Sequence, residues 1–329
     1  MVRIARLSVA LAALLLAAAA QAAPSPAQIL AAPPATQTLQ LGSTKPRDGY
    51  RYQTGHILQP DPYGEQPLRT DFELYRAETD RPAPLVLVLT PYRGVTFADT
   101  GYAEALARAG MHAAVIAVPR NAYRQDAGID YIDRFFVRHT ANVLALKQAL
   151  QGHPLSPIQV SASAILGTSL GAIRASILFG VDPQLRAAVL IMPGGDLPKL
   201  IAHTVLQPIA LWREQFLFPE LQDEPFAIAP EATDAERLAF ERRLRPHVHT
   251  DPLDFVRSND AADVLMVRSD NDTFVPRINQ DRLFEAYRSS GQQPQQIEGS
   301  GLGHYATVLA VYQEDRGRIV EFLRQRLLR

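Results

Sequence analysis

The 329-residue sequence contains no cysteine, and neither sign of charge is in clear excess: 33 lysine and arginine residues stand against 34 aspartate and glutamate residues. The absence of cysteine excludes disulfides, acylated lipoprotein anchors and thiolate metal ligands. Removing the first 22 residues, which include Arg3 and Arg6, changes the balance to 31 against 34. No basic surplus indicates a nucleic-acid-binding surface, so nucleic acid is not an expected partner.

A long apolar run is confined to the N-terminus. Residues 1–22 combine two arginines, a stretch of Leu, Ala and Val, and the small-residue ending Ala20-Gln21-Ala22. This pattern is typical of a secretory signal peptide. Its apolar part is shorter than the roughly 20 residues of a spanning helix. We therefore predict Sec-type export to the periplasm or beyond, and no stable membrane insertion of the mature chain.

The rest of the chain divides by composition. Residues 23–45 are rich in Ala, Pro, Gln and Thr, which predicts a flexible N-terminal segment. Residues 46–329 are long enough for one large domain with a sizeable core.

The apolar pattern of this domain predicts an α/β fold. Residues 51–60 and 68–77 have the alternation of two antiparallel strands. After them, short apolar runs alternate with helical patterns. The runs are 84–90, 112–120, 162–169, 187–195, 262–270 and 294–300. Buried strands separated by helices indicate a mostly parallel sheet with helices on both faces.

A helical insertion interrupts this alternation at about residues 197–256, where no convincing strand is found. Inserted helices at the carboxyl edge of a parallel sheet would lie over the crevice where ligands bind. His203, Trp212, Phe216 and Phe218 are therefore candidates for a substrate pocket. The alternative for the aromatic residues is that they only pack the insertion onto the core.

The segment Gly167-Thr168-Ser169-Leu170-Gly171 matches the G-x-S-x-G nucleophile elbow between an apolar strand and an apolar helix. A sharp strand-to-helix turn strains the serine backbone and brings the positions two before and two after it together, so glycine is needed at both. The pattern predicts a nucleophilic serine at the start of a helix whose N–H groups face developing negative charge. The alternative is a turn that binds phosphate or only connects two elements.

A serine nucleophile requires a base, and the base requires an orienting acid. His304 is the favoured base, because it lies in a glycine-rich loop between the last strand and the last helices. His247 and His249 have no accompanying carboxylate or cysteine set at metal-ligand spacing, and we predict no metal site.

Three aspartates are candidates for the acid. Asp272 is favoured because it lies beyond the end of a strand and shortly before the next helix begins. Asp270, nearer to the strand, and Asp196, just past the preceding strand, are the alternatives. The favoured set has the chain order Ser, Asp, His that is expected of an α/β-hydrolase.

The elbow GTSLG, the strand end SDNDTFVP and the loop GLGHY together resemble the α/β-hydrolase family. This resemblance implies a mostly parallel eight-stranded sheet, a cap after the sixth strand, and hydrolysis through an acyl-serine without metal or organic cofactor. The segment Thr90-Pro91-Tyr92 is similar to the acyl-peptidase and cocaine-esterase branch, in which a tyrosine hydroxyl at this place helps to bind the oxyanion. Tyr92 could contribute its hydroxyl, its backbone N–H or only packing.

We predict a serine hydrolase that cleaves small-molecule carboxylic esters through Ser169, His304 and Asp272, with Leu170 N–H and Tyr92 at the oxyanion. A serine peptidase or amidase of the same fold is the enzymatic alternative. The alternative of another class is a non-catalytic binding protein that retains the fold.

Overall fold

The computed structural model describes residues 24–32, 37–91, 94–117, 131–204, 232–256, 263–299, 301 and 303–328. Ten strands form one sheet. They are β1 (Thr38–Leu41), β2 (Lys45–Arg47), β3 (Tyr50–Gln59), β4 (Leu68–Ala77), β5 (Ala83–Leu89), β6 (His112–Ile116), β7 (Val160–Thr168), β8 (Leu185–Ile191), β9 (Asp263–Arg268) and β10 (Gln295–Glu298). Their order is β1-β3-β4-β6-β5-β7-β8-β9-β10, with β2 also paired to β3.

The described part contains nine α-helices and two short 3₁₀ helices. The α-helices are α1 (Pro26–Ala31), α2 (Phe97–Arg108), α3 (Tyr131–Gly152), α4 (Leu170–Val181), α5 (Leu197–His203), α6 (Asp234–Leu244), α7 (Arg277–Ser289), α8 (His304–Glu314) and α9 (Arg316–Leu327). The 3₁₀ helices span Arg245–His247 and Pro252–Phe255.

The central strands are buried on both faces. On β5, Leu85 and Leu87 pack into a core with α3, α4 and α7, whereas Val86 and Val88 pack into a second core with α2, α8 and α9. A strand with a core on each face needs apolar residues at successive positions, which explains the run Pro-Leu-Val-Leu-Val-Leu. Strands β5 to β10 pair in parallel, and all their carboxyl ends therefore lie at one edge of the sheet.

The N-terminal region corrects one expectation. Within residues 23–45, predicted to be flexible, the structure has α1, β1 and the start of β2. Strand β1 pairs antiparallel with β3, and Leu30 of α1 is only 3% exposed against the core beside α3. The sheet thus has ten strands rather than eight. Strand β2 is exposed along its three residues, and β1 has only four residues, of which Leu39 is buried in the core. Alternation over so short a stretch does not distinguish a strand from its surroundings.

Helices follow the carboxyl end of β8. Between β8 and β9 the described residues form α5, α6 and the two 3₁₀ helices, and they include no strand. Helix α5 contacts α6, and the second 3₁₀ helix packs on α4. This part of the chain therefore adjoins the sheet edge from which Ser169 projects.

Candidate active site

Ser169 occupies the turn between β7 and α4. Its backbone has φ 57° and ψ −122°, a conformation that residues with a side chain rarely adopt. Its N–H donates to the carbonyl of Ile191 at 2.8 Å, which ties the turn to the end of β8. The turn places the serine at the carboxyl edge of the sheet, at the N-terminus of a helix.

The two flanking glycines make this turn possible. A Cβ on Gly167 would lie 2.3 Å from the carbonyl oxygen of Gly171, and a Cβ on Gly171 would lie 2.1 Å from the carbonyl oxygen of Leu89. Both distances are far below van der Waals contact, and the obstructing atoms belong to the backbone. The steric reason for the glycine pattern is thus visible in the structure.

Ser169, His304 and Asp272 form one hydrogen-bonded line. The Nε2 atom of His304 lies 2.9 Å from Oγ of Ser169, and its Nδ1 atom lies 2.7 Å from Oδ2 of Asp272. The side chains of His304 and Asp272 are 4% and 0% exposed. His304 begins α8 after a loop in which Gly301 and Gly303 have φ of 66° and 81°, so the glycines allow the path that brings the imidazole to the serine.

Backbone groups hold the Asp272 carboxylate. Its Oδ1 atom accepts hydrogen bonds from the N–H groups of Phe274 at 2.8 Å and Val275 at 2.9 Å. The amide of Gln280 lies 3.5 Å from Oδ2 and also donates to the carbonyl of Val275. These contacts orient Oδ2 toward the histidine.

The two alternative acids lie elsewhere. The Asp270 carboxylate is 73% exposed and pairs with Arg277 at 2.6 Å. Asp196 is buried, and its carboxylate pairs with Arg245 and Arg282. Of the three candidates, only Asp272 contacts the His304 ring in the described part of the chain.

Asp251 fixes the backbone around Asp196. Its carboxylate accepts from the N–H groups of Asp196, Leu197 and Leu253, which holds Asp196 at φ 59°. Burial raises the pKa of Asp251 to about 6, against the opposing effect of the N–H donors of Leu253 and Leu197. The hydrogen bonds of Asp251 thus connect the segment after α6 to the backbone at the end of β8.

A buried arginine lies below the end of β5. Arg174, one turn after Ser169 on α4, donates from Nη2 to the carbonyl of Thr90, and its Nη1 atom lies 3.2 Å from Nδ1 of His139. Burial and then this arginine lower the pKa of His139 well below its usual range. Burial also raises the pKa of Asp99 to about 6, although hydrogen bonds and Arg174 act against the rise.

The predicted oxyanion donors differ in how far the structure describes them. Leu170 is the first residue of α4, and the first N–H groups of a helix have no acceptor within it. Tyr92 lies outside the described residues. Thr90, two positions earlier, is fully buried, and its hydroxyl donates to the carbonyl of Ile116 at 3.3 Å.

The predicted pocket residues are mostly not described. Trp212, Phe216 and Phe218 lie outside the described residues. His203 is at the end of α5, where its Nε2 atom lies 3.3 Å from the carboxylate of Glu241 on α6. The observed contact of His203 is therefore with the neighbouring helix.

Phe274 is a site residue that the sequence reasoning missed. Its ring stacks on the imidazole of His304, with the ring centroids 4.6 Å apart and the planes 7° from parallel. The available signal was its position two residues after the favoured acid, since an aspartate often accepts a hydrogen bond from the N–H two residues later.

The described residues offer neither a metal site nor a membrane-spanning helix. No three His, Asp or Glu side chains in this part of the chain converge in a way that could hold a metal ion. None of the described helices has both the length and the apolar character required to cross a bilayer.

Comparison by structure finds related folds at low sequence identity. The chain is similar to an acetyl xylan esterase from a Paenibacillus species, at 17% identity and TM-score 0.61, with 90% of this chain and 92% of that chain covered. It is similar to an esterase of Pyrococcus furiosus, at 15% identity and TM-score 0.55, with 90% and 100% covered. An acylaminoacyl peptidase of Pyrococcus horikoshii matches 87% of this chain and 49% of its own length, at 12% identity and TM-score 0.55. No protein-family model matches the chain, and no curated protein matches it in sequence.

These similarities establish the fold. The chain has the α/β-hydrolase fold, and the sequence-based prediction of that fold is confirmed.

Proposed function

We propose that this chain is a serine hydrolase that cleaves carboxylic esters through an acyl-serine intermediate. The observation that carries the proposal is the line from Asp272 through His304 to Ser169, at 2.7 Å and 2.9 Å, on a strained turn at the start of a helix. Strained backbone conformations gather at functional sites. A nucleophile, a base and an orienting acid at these distances are the groups that acyl transfer requires.

Acylation begins when Ser169 Oγ attacks the ester carbonyl carbon and its proton passes to Nε2 of His304. The carbonyl electrons move to the oxygen, which becomes an oxyanion. When the tetrahedral intermediate collapses, the bond to the alcohol oxygen breaks and the imidazolium donates its proton to the leaving alkoxide. Asp272 holds the Nδ1 proton, so that Nε2 is the acceptor, and balances the charge of the imidazolium.

Deacylation repeats these steps with water as the nucleophile. Water gives a proton to Nε2 of His304 while its oxygen bonds to the acyl carbon. The second tetrahedral intermediate expels Ser169 Oγ, which takes the proton back from the imidazolium. The free acid and the resting serine are the products.

The oxyanion is assigned to the N-terminus of α4. The N–H of Leu170 adjoins Ser169, and the partial positive charge of the helix end favours a negative oxygen there. Tyr92 is the proposed second donor, through its hydroxyl or its backbone N–H.

Esters are the preferred substrate class over amides. An alkoxide leaves a tetrahedral intermediate with less help from a general acid than an amine does. The structural neighbours named as esterases support this choice, and the acylaminoacyl peptidase supports the amide alternative. Because one neighbour is named as an acetyl xylan esterase, acetyl xylan is tested beside aryl esters.

The deciding experiment is a hydrolysis panel of aryl esters of increasing acyl length, with matched aryl amides, on the mature protein and on its Ser169→Ala variant. We expect ester turnover that exceeds amide turnover and is lost in the variant. A fluorophosphonate probe should label the wild-type protein and leave Ser169→Ala unlabelled. Absence of both labelling and turnover would favour a binding protein that retains the fold.

A further inference from the structure

Phe274 contacts both partners of the proposed nucleophile. Its ring lies parallel to the imidazole of His304, 4.6 Å between centroids, and its backbone N–H donates to Oδ1 of Asp272 at 2.8 Å. One residue therefore fixes the carboxylate with its main chain and covers the imidazole with its side chain.

Two other elements hold Phe274 in place. The buried hydroxyl of Thr204, at the end of α5, donates to its carbonyl at 3.1 Å. The ring of Tyr305 on α8 meets the ring of Phe274 edge to face, 5.0 Å between centroids and 75° between planes. Phe274 is thus restrained at its N–H, at its carbonyl and at its ring, so its ring has a fixed position beside the imidazole.

The imidazole needs such a support because its own torsion does not fix its plane. Rotation of a histidine ring about the Cβ–Cγ bond has broad minima. In the free enzyme, hydrogen bonds to Ser169 and Asp272 hold the ring. In the proposed acyl-enzyme, Ser169 Oγ carries the acyl group and has no proton to donate. Among the described residues, the imidazole then retains the bond to Asp272, the stack on Phe274 and an edge contact with its chain neighbour Tyr305, 5.7 Å between ring centroids.

We infer that Phe274 is a positioning residue for His304 and that its effect is largest in deacylation. The kinetic part of this inference rests on the proposed acyl-serine mechanism. The structural part, that the ring of Phe274 holds the imidazole in the plane that joins Asp272 to Ser169, does not depend on any substrate.

The kinetic test compares Phe274→Leu with Phe97→Leu. Phe97 undergoes the same chemical change, but it is 63% exposed and its ring packs on Tyr312 rather than on the imidazole. With an activated aryl ester, whose acylation is fast, we expect Phe274→Leu to lower kcat about tenfold, part of the roughly 10²–10⁴ that a general base contributes. The ratio kcat/KM, which reports acylation, should fall less, and the pre-steady-state burst should remain.

Phe274→Tyr keeps a six-membered aromatic ring and should recover most of kcat, and Phe97→Leu should match the wild type. If Phe274→Leu does not fold, Phe274→Met replaces it as the unstacked variant of similar volume. Equal losses in kcat and kcat/KM, or no loss in a folded unstacked variant, would overturn the assignment to deacylation.

Proton NMR tests the structural part without a substrate. The far-downfield resonance of the proton between His304 Nδ1 and Asp272 should broaden or vanish in Phe274→Leu and persist in Phe97→Leu and Phe274→Tyr. A sharp, unshifted resonance in folded Phe274→Leu would refute the positioning role. A protein that hydrolyses nothing but shows the expected spectra would refute the proposed function and leave the positioning role standing.

Discussion

In the proposed mechanism, Ser169, His304 and Asp272 work as one unit. His304 Nε2 lies beside the serine and its Nδ1 beside the aspartate, so the loss of any member would disable the same proton transfer. Groups that act as a unit give losses that do not add. Comparing single substitutions with their combinations can therefore test whether the three residues act together, because their effects on kcat would then not add.

We predict that Ser169→Ala and His304→Ala each remove most of kcat, and that the double variant is little worse than the poorer single variant. Asp272→Asn should lower kcat by about 10³–10⁴, because the amide favours the wrong imidazole tautomer. Steady-state kinetics on folded variants would measure this.

Asp270→Asn is the matched control for Asp272→Asn, because Asp270 lies on the same loop as Asp272 but its exposed carboxylate pairs with Arg277 at the start of α7. We expect normal kcat from it. The acid would be wrongly assigned if Asp196→Asn were the damaging change and Asp272→Asn were silent.

Tyr92→Phe tests whether a phenol serves the oxyanion. Loss of one oxyanion donor lowers kcat by about 10²–10³ with little change in KM, because the bond forms mainly in the transition state. Near-normal kcat in Tyr92→Phe would leave only the backbone N–H or packing for this residue and would remove the support of the Thr-Pro-Tyr similarity.

The elbow is a property of two elements and the strand beside them, β7, α4 and β5. Gly171 lies so close to the carbonyl of Leu89 that the methyl group of an alanine at position 171 would displace the backbone of β5 or α4. The close approach of β5 and α4 therefore requires glycine, which has no side chain, at position 171.

We predict that Gly171→Ala lowers the free energy of unfolding by about 3 kcal/mol or more, since overpacking costs about 1–3 kcal/mol where side chains can move and backbone moves less easily. Gly317→Ala is the control, because α9 leaves open space there, and alanine should stabilise that helix by about 0.5–1 kcal/mol. Urea unfolding of both variants measures the difference. Equal effects of the two substitutions would contradict the steric account.

Sequence patterns that span a few residues were sufficient to predict part of the candidate site. The glycines around Ser169 and the position of Asp272 past a strand end are local signals, and the structure places these residues and His304 together. A local pattern can indicate the N–H contact of Phe274 with Asp272, but the stack of Phe274 on His304 joins residues 30 positions apart and has no local signal. Strands β1 and β2 were missed for another reason, because backbone pairing holds them and their side chains are mostly exposed.

At the scale of the whole molecule, buried titratable groups make stability depend on pH in opposite directions. Burial, and to a lesser degree Arg76, lowers the pKa of His112 from 6.5 to about 4. Below pH 6.5 the unfolded chain binds a proton that the folded chain does not, so stability falls as the pH decreases toward 4. Asp99 and Asp251 have the opposite effect, because their pKa values are raised to about 6 and the folded chain binds their protons at a higher pH than the unfolded chain does. Their contribution to stability therefore increases as the pH decreases below 6.

We predict that His112→Asn makes the protein relatively more acid-resistant. The asparagine oxygen can accept from the N–H of Ala77 as Nδ1 of His112 does at 3.1 Å, but it does not titrate. Between pH 7 and pH 5, the unfolding free energy of the variant should change by about 2 kcal/mol in the stabilising direction relative to that of the wild type, at 1.36 kcal/mol per unit of pKa difference. Urea titrations of wild type and variant at both pH values would show it, and parallel pH profiles would disprove it.

Export is a further proposal at the scale of the whole chain. We propose that the segment ending in Ala20-Gln21-Ala22 is removed on secretion. Mass spectrometry of the protein recovered from cells should find an N-terminus near Ala23. Intact Met1 on the secreted protein would exclude this processing.

The backbone of Ser169 has an evolutionary consequence, since it sets activity against stability. A non-glycine residue at φ 57° and ψ −122° lowers the stability of the folded state by about 1–3 kcal/mol. Such a loss of stability is expected to persist only where the side chain has a function. Ser169→Gly and Ser169→Ala both lose the hydroxyl, but only glycine relieves the strain. We therefore expect the glycine variant to be the more stable of the two by about 1 kcal/mol in urea unfolding, after allowance for the greater freedom of glycine in the unfolded chain. The wild-type serine carries the same strain as alanine, so selection for thermostability alone would favour glycine at position 169, a variant without the proposed nucleophile.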